Sequence, residues 1–265
     1  MRKPAHRSRP AFDGLYRSPA RMKLTLPVEI ETQPTDSACG ATCLQAIYRY
    51  WGVHMPVSQI LADIPQLEMG GTLAVQLACH ALVRGFTATI YTYNVQVFDP
   101  SWFNRSDIDL AERLQRQREC KGDSNPRLAV ATDAYLRFIA LGGQVRMQPL
   151  ERPLIRQHLT ERVPMLAGLS ATFLYQEARE CPQPPDERGI RSIPDDLQGE
   201  PVGHFVVLSG YDDEADSVMI ADPLHPNSGG ASQSYYWSPI DHVAAAVLLG
   251  IVTFDSNFLV LRPQT

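Results

Sequence analysis

Strand-forming segments crowd the C-terminal part of this chain, while amphipathic helices dominate the part before it. Gly203 to Tyr211, Ser217 to Ala221, Tyr235 to Trp237 and Asn257 to Leu261 read as strands, with one helix at about Pro239 to Leu249 between them. Neither half supplies both a sheet and the helices to cover it, so the two must share one core. Helices first and an antiparallel sheet later is the order of an α+β domain. At 265 residues, with 44% hydrophobic and 20% charged side chains, the chain is long enough for such a core. Wholesale disorder, collagen and coiled coil are excluded by the same composition.

Local patterns fill in the helical part. Apolar side chains at 39, 43, 44, 47, 50 and 51 predict a helix with one buried face. Asp36 or Ser37 is placed to cap it and Gly52 to close it. A short helix at 58–63 and one from Thr72 to Gly85 follow, then a strand from Phe86 to Tyr93. The polar segment 99–127 carries a charged surface helix, Ile108 to Cys120. Helices at Ala131–Leu141 and Pro153–Arg162 alternate with strands at Gln144–Leu150 and Pro164–Ser170. Val28–Ile30 reads as a short strand. The basic, Arg- and Pro-rich stretch 1–26 is expected to be a flexible tail, leaving 27–265 as a single domain. The segments 99–127 and 176–201 read as insertions, the second a long Pro-rich surface loop.

Charge and motifs narrow the function. Lys+Arg total 24 against 29 Asp+Glu, a formal net charge of −5 without the basic excess of a nucleic-acid binder. No apolar run reaches the ~18 residues of a membrane span, and the basic start lacks the apolar region of a secretory signal. Five cysteines without a C-x-x-C pair suggest neither a disulfide framework nor structural zinc, which favours a reducing, cytoplasmic setting. Cys79-His80 and Asp222-x-x-His225 lack the further ligands a metal needs, and no nucleotide-binding G-x-x-x-x-G-K-[ST] is present. No metal and no cofactor are expected. The double glycines 70–71, 142–143 and 229–230 read as caps and turns.

A chemical constellation remains. Cys39 opens its helix, where free N–H groups and the dipole favour a thiolate. Gly40 beside it is expected to let a substrate backbone approach closely. Gln33, across the Pro34 turn, could aim its amide at an oxyanion developing beside the Cys39 N–H. His204 opens the apolar strand Phe205-Val206-Val207-Leu208. The next strand ends at Asp222, which a hairpin would return to His204 as the orienter of a general base. Cys43, one turn after Cys39, reads as core.

The block Gln33-Pro34-Thr35-Asp36-Ser37-Ala38-Cys39-Gly40-Ala41-Thr42-Cys43-Leu44 resembles the helix start of the double-glycine leader peptidases, papain-like cysteine peptidases of bacteria. His204 to Tyr211 and Ile220-Ala221-Asp222-Pro223 are similar to that family's His and Asp blocks. The resemblance implies a papain-like fold and a peptide or protein substrate cleaved after a small, Gly-type residue. It also implies Cys39 as nucleophile, His204 as base, Asp222 as orienter and Gln33 as oxyanion donor. Two departures stand out: Ala38 replaces a polar residue, and Cys39 and His204 are separated by 204 − 39 = 165 positions, more than in compact members of the family. Hydrolysis, acyl transfer on the same triad and silent peptide binding are all open on sequence, as is the oligomeric state.

Overall fold

The computed structural model describes residues 22–67, 71–184, 186–187, 192–224 and 234–264. In chain order its elements are β1 (Lys23–Thr25), α1 (Cys39–Tyr50), α2 (Val57–Asp63), α3 (Ala74–Leu82), β2 (Phe86–Thr92), α4 (Leu110–Lys121), α5 (Pro126–Ala140) and β3 (Gln144–Arg146). Then follow α6 (Arg152–Thr160), β4 (Met165–Ser170), α7 (Ala171–Tyr175), β5 (Glu180–Pro182), β6 (Ser192–Pro194), β7 (Gly203–Asp212), β8 (Ser217–Ala221), β9 (Tyr235–Pro239), α8 (Ile240–Leu249) and β10 (Asn257–Pro263).

Eight strands form one sheet in the order β3-β2-β10-β4-β7-β8-β9, with β1 paired to the far end of β7. The last strand of the chain therefore lies inside the sheet, antiparallel to β2 on one side and to β4 on the other. Only β2–β3 is parallel among the pairings of this sheet. Strand β7 begins with exposed Gly203 and continues with nine buried residues, so both of its faces are covered. Its register against β4 pairs Leu169 with His204, and against β8 it pairs Val207 with Ala221. The two halves share one buried cluster running from Leu26 through α1, α3 and α5 to Leu261. This is the α+β arrangement expected from the sequence.

Several local expectations shift. Val28–Ile30 forms no strand. The first strand is Lys23–Thr25, inside the stretch expected to be a flexible tail, while residues 1–21 lie outside the described set. Neither Asp36 nor Ser37 caps α1. They sit in a turn closed by Ala38 N–H to Thr35 C=O at 3.0 Å, Ala38 takes the cap position, and no side chain caps the helix. Thr72 does not cap α3 either. The Ala74 N–H is taken instead by the Asp255 carboxylate at 2.9 Å, 181 positions away. Burial pushes that carboxyl up to about 7 against the opposing bonds from Ala74 and Asn257. The loop 176–201 is folded where it is described. Its ends meet through Ala171 N–H to Val202 C=O, and β5 and β6 make a small hairpin within it.

Cys43 sits on the buried face of α1, fully covered, with its thiol 3.2 Å from the Phe205 carbonyl of β7. Burial pushes this thiol well up, so it is held neutral. Cys43→Ala should cost on the order of 1–2 kcal/mol by leaving a small cavity. Urea unfolding measures this, and an unchanged midpoint would show that α1 does not depend on this contact.

Candidate active site

Three elements from distant parts of the sequence converge at one end of β7. The N-terminus of α1 carries Cys39, the first buried residue of β7 is His204, and Asp222 directly follows β8. The hairpin β7–β8 performs the return that the sequence pattern implies. The His204 Nε2 lies 2.9 Å from Asp222 Oδ1. Nε2 is thereby committed to the carboxylate, and Cys39 is the other side chain that acts on the ring, favouring its protonated form.

The charges of this pair are settled by competing effects. Burial disfavours the imidazolium, but the Asp222 charge, its hydrogen bond and the adjacent Cys39 outweigh it and raise His204 to about 10. Burial likewise pushes the Asp222 carboxyl up. The His204 charge and the hydrogen bonds from His204, Tyr175 and the Leu224 N–H more than offset this, and the carboxyl stays below the usual range. Both oxygens of Asp222 are occupied. Oδ1 accepts from His204 and from Leu224 N–H at 3.0 Å, while Oδ2 accepts from Tyr175 at 2.6 Å and Tyr236 at 2.8 Å. Its side chain is completely buried.

Gln33 is tied to the same corner through its backbone. Its N–H donates to the Pro223 carbonyl at 2.9 Å, and its half-buried side chain has a buried Oε1 with no hydrogen-bond partner among the described residues. The stretch leading to it is stitched to β9, because Tyr235 donates to the Val28 carbonyl at 3.1 Å and accepts from Ile30 N–H at 2.8 Å. Along β9 the three aromatics thus divide: Tyr235 holds residues 28–30, Tyr236 holds Asp222, and Trp237 receives the Lys23 ammonium 4.9 Å from its ring centre.

The structure gives Gly40 a different duty from the one expected. A Cβ there would lie 2.8 Å from Thr72 Oγ1, 3.0 Å from the Phe205 ring and 3.1 Å from Leu77. Glycine is needed because α1 packs tightly on α3 and β7, and the position faces the core rather than a passing substrate.

A groove of about 530 Å³ between α2, α3 and α5 is lined by Asp63, Cys79, His80, Arg84 and Arg137 among others, and contains none of the four residues above. Among the described residues no three His, Cys, Asp or Glu side chains converge as a metal site requires. His225 and the glycines at 229 and 230 lie outside the described residues. No helix among them is long and apolar enough to cross a membrane.

Comparison with known proteins bears on the family and the fold. Residues 134–245 match the sequence profile of the Peptidase_C39 like family, a stretch that includes His204 and Asp222 but not Cys39 or Gln33. No curated protein matches. A crystal structure of a Bacillus anthracis protein assigned as a C39-like peptidase superposes with a TM-score of 0.50 at 15% identity, covering 92% of this chain and 99% of the other. Xylellain, a cysteine protease from Xylella fastidiosa, gives 0.41 at 16% identity over 92% and 86%. The first of these likenesses shows the fold, which is the papain-like α+β fold of C39-like peptidases.

The pair makes stability depend on pH in a defined way. A raised His204 contributes fully below its unfolded value near 6.5 and loses that contribution as pH climbs through about 10. A lowered Asp222 contributes above its unfolded value near 4 and loses it below. The difference in unfolding free energy between the parent and Asp222→Asn should therefore be largest between about pH 4 and 6.5 and shrink toward pH 10. Denaturant titrations at several pH values check this. A difference that stays flat across the range would mean that the pair is not charged in the fold.

Proposed function

We propose that the protein is a cysteine peptidase that cleaves a peptide bond through a Cys39 thioester. The observation that carries this reading is the His204–Asp222 pair at 2.9 Å beside the thiol at the start of α1. An imidazolium held by a buried carboxylate is the partner a cysteine sulfur needs to form a thiolate–imidazolium nucleophile. The Cys39 sulfur adds to the substrate carbonyl carbon, and His204 gives its proton to the leaving nitrogen as the C–N bond breaks. His204 then accepts a proton from the water that attacks the thioester, the C–S bond breaks to release the acid, and the thiolate–imidazolium pair is restored. The oxyanion formed in each step is met by the Cys39 N–H of a helix start that no side chain caps, and by the Gln33 amide.

The substrate side is read from the resemblance. A small, Gly-type residue is proposed on the acyl side of the scissile bond. Gly40 does not argue for it, because its missing Cβ serves packing.

Four variants test the assignment. Cys39→Ala should abolish peptide cleavage without moving the thermal midpoint, and His204→Ala should be nearly as damaging. Gln33→Ala should lower kcat by about 10²-fold, the loss of one oxyanion donor. Asp222→Asn should retain residual turnover, since it disturbs tautomer and charge without removing the base. Parent and Cys39→Ala cleaving a set of Gly-, Ala-, Leu- and Phe-containing peptides at equal rates would overturn the mechanism. Leu and Phe peptides cleaved as fast as Gly peptides would overturn the specificity alone.

A further inference from the structure

The Asp222 carboxylate receives more donors than an orienting acid needs. Its Oδ1 does the orienting, bonded to His204 Nε2 and braced by the Leu224 N–H. Its Oδ2 faces away from the imidazole and takes two phenolic hydroxyls, Tyr175 at 2.6 Å and Tyr236 at 2.8 Å. These arrive from opposite directions in the sequence. Tyr175 is the last residue of α7, immediately before the loop that leads to His204, and Tyr236 is the second residue of β9. The Tyr175 ring also lies against the imidazole, with centroids 6.0 Å apart.

Tyr175 and Tyr236 are each half-buried, and both hydroxyls turn to the carboxylate. Burial and the adjacent Asp222 charge push both phenols far above their ordinary range, so each keeps the proton it donates to the carboxylate. A carboxylate with no exposed surface has no water to screen it, and each O–H replaces a lost water with a fixed dipole.

Resting on the peptidase reading above, we propose that Tyr175 and Tyr236 are positioning residues that clamp Oδ2 of Asp222, fixing both its orientation and its negative charge so that it can hold the His204 imidazolium. A carboxylate bonded only through Oδ1 could rotate about its Cβ–Cγ bond and offer His204 either oxygen. Two donors on Oδ2 and two on Oδ1 leave one orientation that satisfies all four. The clamp also decides where the shared proton sits. Without the phenols, the neutral pair of acid and imidazole gains on the ion pair, because only the ionised form uses those donors. The other titratable groups facing Asp222 are His204 itself, Cys39 beyond the ring and the neutral thiol of Cys43 on α1. None of these can replace the two hydroxyls as donors to Oδ2.

The test compares the full-length parent with Tyr175→Phe, Tyr236→Phe and the double variant. The Asp222 carboxyl titration is followed by ¹³C NMR in aspartate-labelled protein, and kcat and KM are measured against pH. A hydrogen bond to a charged group is worth enough that each lost hydroxyl should raise the Asp222 titration by about one pH unit. The acid limb of kcat should move up with it while KM stays put, and at pH 8 the single variants should keep most of their turnover. Melting points lowered with an unmoved Asp222 titration would reduce the tyrosines to packing and overturn the proposal, as would no change in either. If the double variant fails to fold, the two single variants carry the same comparison. A parent without peptidase activity whose Asp222 titration still moves in the tyrosine variants would remove the functional reading and leave the clamp standing as a property of the buried pair.

Discussion

Two opposite charges buried together at the end of a sheet set the terms for the rest of this structure. Removing an imidazolium and a carboxylate from water is costly, and a contact at 2.9 Å repays it only when every remaining lone pair is also met. The fold meets that condition by bringing four elements to one carboxylate: β7 through His204, the turn after β8 through Leu224, α7 through Tyr175 and β9 through Tyr236. Leaving any one of them out takes a hydrogen-bond donor from a buried charge. The same corner also anchors the approach to Cys39, through Gln33 on the Pro223 carbonyl and Tyr235 on residues 28–30. The position of the proposed nucleophile thus depends on contacts made around its proposed base.

What the sequence discloses is what local spacing can encode. The three-and-four spacing behind Cys39 locates α1 almost to the residue, and the continuous apolar run after His204 locates β7 as a strand buried on both faces. The pairing of His204 with Asp222 is legible because a hairpin is a local device: two strands and a short turn return one end to the other. Some elements of a single turn or three residues escape, although the three-residue β3 falls within the segment 144–150 read as a strand. Lys23–Thr25 becomes a strand because β7 extends past β4 and offers an unpaired edge, and Ala171–Tyr175 becomes a helix because Ser170 caps it, with its hydroxyl accepting from Phe173 N–H.

Partners set by tertiary structure escape as well. Nothing around Ala74 announces that its N–H is met by Asp255, and nothing around Tyr175 announces Asp222. Tyr236 had a faint signal, since it alternates with Tyr235 along a strand and one of the two must face inward. Aromatic residues in strands ordinarily face inward to pack, which hides the ones that donate. Gly40 shows the reverse error. A glycine beside a candidate nucleophile invites a catalytic explanation, while the contacts of Thr72, Phe205 and Leu77 show that close packing alone requires it.

The place of β10 carries a consequence for how the chain comes to be folded. Residues 257–263 fill the gap between β2 and β4, strands that have no pairing with each other. During synthesis β2 is complete long before the last strand leaves the ribosome, and until then the central sheet lies open as two separate pieces. Such long-range closure makes for slow, late assembly, with unpaired edges waiting in the meantime. It also delays maturation of the molecule. Asp255, just before β10, is the residue that receives the start of α3, and α3 in turn packs against Gly40 beside the thiol. A chain that has made its cysteine, its histidine and even its aspartate would still lack the strand that joins β2 to β4.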